Sequence, residues 1–96
     1  MPVPPLYGFI YLVEAVGADR IKIGWTAASP RRRLAELQVC SPFPLDLIGA
    51  MRGSRLDERR LHRTFEADRI IGEWFAATPT LREIARASFR LRDEVG

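Results

Sequence analysis

Two runs near the start of the chain alternate as half-buried strands do. Phe9 to Val13 is aromatic and β-branched, and Ile21 to Trp25 sets Ile21, Ile23 and Trp25 on one side with Lys22 and Gly24 on the other. Gly17 and Asp19 mark a turn between them, which predicts a β-hairpin. If Ile10 and Leu12 pair with Ile21 and Ile23, then Tyr11 and Lys22 share the opposite face. Ser29-Pro30 supplies an N-cap and a proline at the first helical position, opening a helix that carries Leu34 and Leu37 and fades near Val39. Ser41, Pro42 and Pro44 then break the pattern.

Leu45 to Met51 reads as a third strand, Gly53-Ser54 as a turn and cap, and Arg55 to Asp68 as a second helix. Gly72-Glu73-Trp74-Phe75 follows as a loop or short strand. Thr78-Pro79 opens a final helix on which Leu81, Ile84, Ala85 and Ser88 keep helical spacing. The order ββαβαα predicts an α/β (α+β) domain with one small three-stranded antiparallel sheet flanked by helices. A chain of 96 residues holds one such core, expected over residues 7–96, behind a short extended lead at 1–6 that Pro2, Pro4 and Pro5 keep out of regular structure.

Charge adds a modest hint. Fifteen basic against twelve acidic residues leave a net charge of +3, compatible with a polyanionic partner without requiring one. Lys22 is the only lysine, so the other cations are arginines, whose planar fork pairs with phosphate. Cys40 is the only cysteine, which excludes an intramolecular disulfide. There is no apolar run of the roughly 20 residues a membrane span needs and no signal-like start, so a cytoplasmic protein with no membrane partner is expected. Phosphate-loop, dinucleotide, zinc-protease and serine-hydrolase motifs are absent, which removes support for those chemistries.

The second helix carries the unusual feature. Glu58, Leu61, His62 and Phe65 fall at i, i+3, i+4 and i+7 and share the face expected to pack inward, while Arg59, Arg60 and Arg63 take the solvated side. A dry, unpaired carboxylate there is costly. Glu58 therefore either pairs with His62 at the rim of the core or ligates a hard divalent cation facing a cleft. On the first helix, Arg32 points away from the Leu34/Leu37 stripe. Arg33 lies on the stripe's border, where it either covers apolar surface or reaches a site.

Five short segments in order resemble the GIY-YIG endonuclease superfamily, in its short branch with a K-I-G second motif. They are G-F-I-Y at Gly8–Tyr11, K-I-G at Lys22–Gly24, R-L-A-E-L-Q at Arg33–Gln38, E-R-R-L-H at Glu58–His62 and G-E-W-F at Gly72–Phe75. The resemblance implies a GIY-YIG-like fold and a metal-dependent endonuclease hydrolysing DNA phosphodiester bonds. By the same resemblance Glu58 would hold one Mg²⁺ or Mn²⁺, Arg33 would bind the scissile phosphate and Tyr11 would help activate water. Lys22 would stand in for a tyrosine as a charge stabiliser, and His62 would assist proton transfer or orient Glu58. One extra residue between Gly24 and Arg33, against the usual spacing, leaves Arg32 as an alternative, and Glu73 is expected to be structural.

Two other functions compete with cutting. In one, the chain is a catalytically silent module gripping DNA or RNA through Arg31, Arg32, Arg59, Arg60 and Arg63; in the other, it is a protein-interaction domain. In any nucleic-acid role, specificity is expected from a homodimer or a protein partner.

Overall fold

The apolar alternation at the start of the chain does form a hairpin: β1 (Gly8–Ala15) pairs antiparallel with β2 (Arg20–Thr26), Leu12 opposite Ile23 and Tyr11 opposite Gly24. This computed structural model describes the backbone of residues 7–95 and the side chains of residues 7–88; the lead expected over 1–6 lies outside the described residues. β3 (Leu45–Gly53) runs along the other edge of β1, with a bulge opposite Leu12/Val13 that brings Leu47 against Val13 and Ala50 against Tyr11.

The sheet has five strands, which corrects the expected three. β4 (Arg69–Ile71) and β5 (Trp74–Ala76) extend it beyond β2, giving the order β3-β1-β2-β5-β4 with all pairs antiparallel. Each added strand is three residues long, too short for a period of two to stand out. Gly72, at φ +55°, supplies the left-handed turn between them. The architecture is α+β.

Three helices complete it. α1 (Pro30–Val39) starts where Ser29 caps the amide of Arg32. α2 (Arg55–Thr64) ends at Thr64 rather than continuing to Asp68, because Phe65 turns into the core and residues Glu66–Asp68 tighten into a single 3₁₀ turn. α3 (Pro79–Val95) begins at the Thr78-Pro79 pair, with the Thr78 hydroxyl accepting from the Leu81 amide. Among the described residues no helix is long and apolar enough to cross a membrane.

The two faces of the sheet are packed differently. Ile10, Leu12, Ile21, Ile23 and Phe75 form a dry core with Leu81 and Ala85 of α3 and with Phe65. Ser88 is the polar member of that wall, and its hydroxyl is satisfied, donating to the Ala85 carbonyl and accepting from the Ala50 amide. On the opposite face a smaller cluster of Tyr11, Val13 and Leu47 is covered by Leu34 and Leu37 of α1.

Candidate active site

The site is assembled at the end of the sheet where β5 stops, from Tyr11 and Lys22 of the smaller face and from the α2 stripe, which packs on the dry core. Tyr11 is only 2% exposed, and its ring lies flat over its cross-strand partner Gly24. A Cβ on Gly24 would stand 2.2 Å from the Tyr11 Cζ and 2.3 Å from its hydroxyl oxygen, so glycine is the residue that lets this ring lie down. Burial, above all, raises the pKa of the Tyr11 phenol; the Arg33 guanidinium facing its hydroxyl opposes that rise, while Glu73 and Glu58 add to it. The hydroxyl is thus within electrostatic reach of one cation and two carboxylates from three other parts of the chain.

β5 is too short to cover all of β2, so the backbone of Ile23 would be left bare at the open edge. Two site residues satisfy it. The Ile23 amide donates to the Glu73 carbonyl at 3.0 Å, and the Ile23 carbonyl accepts from His62 Nε2 at 2.8 Å. Because a carbonyl can only accept, that bond places a hydrogen on Nε2 and leaves Nδ1 as the basic atom of a neutral His62. The His62 ring also packs on Phe75, with centroids 5.3 Å apart.

α2 is held in register by its start. The Ser54 hydroxyl accepts from the Asp57 amide at 3.2 Å and Asp57 Oδ2 accepts from the Ser54 amide at 2.9 Å, a reciprocal capping box. Trp25 Nε1 donates to the Gly53 carbonyl at 2.9 Å and ties this corner to β2. One residue after the box, Glu58 is carried inward to 7% exposure. Burial raises its carboxyl pKa above the usual carboxylate range and Glu73 raises it further, against opposing contributions from His62, Arg55 and Lys22.

Glu58, His62 and Glu73 each bring one ligand atom into a group whose members lie within 4.8 Å of one another. Two carboxylates and an imidazole at that separation are a donor set a divalent cation fits, and a cation there would relieve the mutual repulsion that burdens Glu58. Lys22, on the same face as Tyr11, reaches to 3.8 Å from Glu73 Oε1 and lies 5.8 Å from the Trp74 ring. The expectation that Glu73 is structural missed this placement. Its signal in the sequence was slight: an acid in a turn beside an aromatic pair, given meaning only by a hairpin too short to recognise.

Of the two candidate arginines on α1, Arg33 faces Tyr11, and Tyr11 is the main cause of its raised pKa; Arg33 also donates to Glu36 at 3.3 Å. Arg32 extends into solvent, 4.0 Å from Glu36. Arg31, Arg59, Arg60 and Arg63 are exposed, Arg60 lying 3.8 Å from Asp57. Tyr11, Lys22, Arg33, Glu58 and His62 are therefore gathered at one end of the sheet, and Arg31, Arg32, Arg59, Arg60 and Arg63 are spread over the outer surfaces of α1 and α2.

The family model for the T5orf172 domain matches residues 8–91, most of the chain, from β1 into α3. The chain belongs to the T5orf172 domain family. This corrects the GIY-YIG assignment drawn from the five short segments, since the matching model is the T5orf172 one and none for GIY-YIG matches. Membership brings a general nucleic-acid-related role with DNA interaction. No curated protein and no solved structure matches the chain.

Proposed function

We propose that this T5orf172 domain hydrolyses phosphodiester bonds in DNA with the help of one divalent cation, Mg²⁺ or Mn²⁺. The observation that carries the proposal is the meeting of an arginine-faced tyrosine with the Glu58, His62 and Glu73 ligand group at one end of the sheet. Glu58 and Glu73 would supply carboxylate ligands and His62 would supply Nδ1, the nitrogen that its hydrogen bond to the Ile23 carbonyl leaves free. A cation so held supplies charge neutralisation at phosphoryl oxygens and a lowered pKa for bound water.

The remaining groups position and balance charge. Arg33 offers its fork to the phosphate. Tyr11, whose raised pKa keeps it a neutral phenol near pH 7, holds water or a phosphate oxygen through a hydrogen bond rather than acting as a base. Lys22 neutralises Glu73 and adds positive charge beside the leaving oxygen.

The Lys22–Glu73 approach also motivates a second possibility, a silent DNA-binding module in which the lysine alone neutralises the acid. Supercoiled plasmid with Mg²⁺ or Mn²⁺ separates the two. Cleavage predicts nicked circles that disappear with Glu58→Ala and with EDTA. Retardation without nicking under either metal, or nicking that survives Glu58→Ala, contradicts the hydrolytic proposal.

A further inference from the structure

The same sheet face continues past the polar cluster into an apolar groove that the proposed reaction does not use. The groove has a volume of about 690 Å³, within the roughly 300–1,000 Å³ typical of small-molecule sites, and Ala15, Arg20, Leu37, Phe43, Leu45 and Trp74 line it. Its walls are set by the pairing already described. Trp74 stands opposite Lys22, Arg20 opposite Ala15, and Ala15 opposite Leu45, so one face carries Tyr11 and Gly24, then Lys22 and Trp74, then Arg20 and Ala15. From the first of these rows to the last is about four residues of strand, or ~13 Å. A few nucleotides cover that distance, since the stacked rise is ~3.4 Å each.

We infer that the groove receives an unpaired nucleobase of single-stranded DNA lying a few nucleotides from the phosphate held at Tyr11 and Arg33. Three features select a base over other apolar occupants. Trp74 is half-buried in the groove wall and offers an aromatic surface to a flat heterocycle. Lys22 stands directly opposite Trp74, its Nζ 5.8 Å from the ring, and Arg20 follows in the next row and lines the groove, so both supply positive charge for the phosphates beside that base. The line of the face leads from the phosphate-binding end directly into the groove. A duplex keeps its bases stacked and paired inside the helix, so the preferred substrate is single-stranded or frayed DNA. The inference takes its direction from the proposed cleavage site.

The test is binding in EDTA, where no cutting intervenes. A fluorescent oligothymidylate and an equally long strand of abasic units carry the same phosphates and differ in their bases. The groove predicts roughly tenfold tighter binding of the thymidine strand, the scale of one stacked base, and loss of that preference in Trp74→Leu. Cys40, exposed on the groove's lining and the only cysteine, gives a second readout on the unmodified chain: its alkylation by a bulky maleimide should slow with the thymidine strand and not with the abasic one.

Equal affinity for thymidine and abasic strands overturns the inference, as does equal affinity and equal Cys40 protection for a duplex. Concentration-dependent protection of Cys40 without DNA assigns the groove to a second copy of the chain and also overturns it. Plasmid nicking scores the cleavage proposal separately. Nicking with no base preference defeats the groove alone, and base-dependent binding without nicking defeats the cleavage alone.

Discussion

On one face of the sheet Ile10, Leu12, Ile21, Ile23 and Phe75 are sealed beneath α3 and the end of α2; on the other, Tyr11, Val13 and Leu47 are roofed by a shorter helix, with Lys22 in the row of Val13. The same two strands supply both faces. The first holds residues whose stability comes from leaving water, at about 1.5–3 kcal/mol for each large aliphatic or aromatic side chain. The second carries Tyr11, which meets Glu58 of α2 at the end of the sheet, and burial pushes the pKa values of both up. Where β5 stops short of the end of β2, His62 and the Glu73 carbonyl take up the Ile23 backbone, which fixes these two residues beside Glu58.

If that division of labour holds, damage to the two faces should separate stability from chemistry. Phe75→Ala empties the dry core and should cost about 3–5 kcal/mol, enough to unfold much of the population in urea titration. Gly24→Ala forces a methyl into the Tyr11 ring and should cost about 1–3 kcal/mol. Unlike the first change, it should abolish nicking even at temperatures where circular dichroism shows a folded chain. Ser54→Ala removes the cap that sets the register of α2 and should cost about 1 kcal/mol, with a larger fractional loss of activity than of stability.

Glu58→Gln sharpens the contrast by reversing its sign. A carboxyl whose folded pKa lies above its unfolded value binds protons more readily in the native state, so stability falls as pH rises from the unfolded pKa through the folded one. In EDTA near neutral pH the glutamine variant should therefore melt slightly above the parent. That difference should vanish in acid below the unfolded carboxyl pKa. Parent and variant melting alike at pH 7 would mean that Glu58 is better hydrated than its burial indicates.

Much of the frame was legible because its signals are local. Ser29-Pro30 and Thr78-Pro79 begin helices at the positions their cap chemistry dictates, and the i, i+3, i+4, i+7 stripe of α2 does carry Glu58 inward. What was not legible depends on partners far apart in the chain. The strands at 69–71 and 74–76 exist because β2 offers them an edge, and Glu73 acquires its neighbours Glu58 and His62 only through that pairing. The reason for Gly24 lies in the ring across the hairpin. The family assignment failed for a related reason: short motifs report local geometry, whereas the match over residues 8–91 weighs the whole pattern of the chain.

In the proposed site three side chains, Glu58, His62 and Glu73, would hold one cation beside Tyr11. Titration of Mn²⁺ followed by electron paramagnetic resonance tests this most directly, comparing the parent chain with Glu58→Gln and Glu73→Gln. One Mn²⁺ per chain is predicted, with affinity at least about tenfold weaker in each variant. A parent chain that binds no Mn²⁺, or a Glu73→Gln variant that binds it as tightly as the parent, would contradict the account.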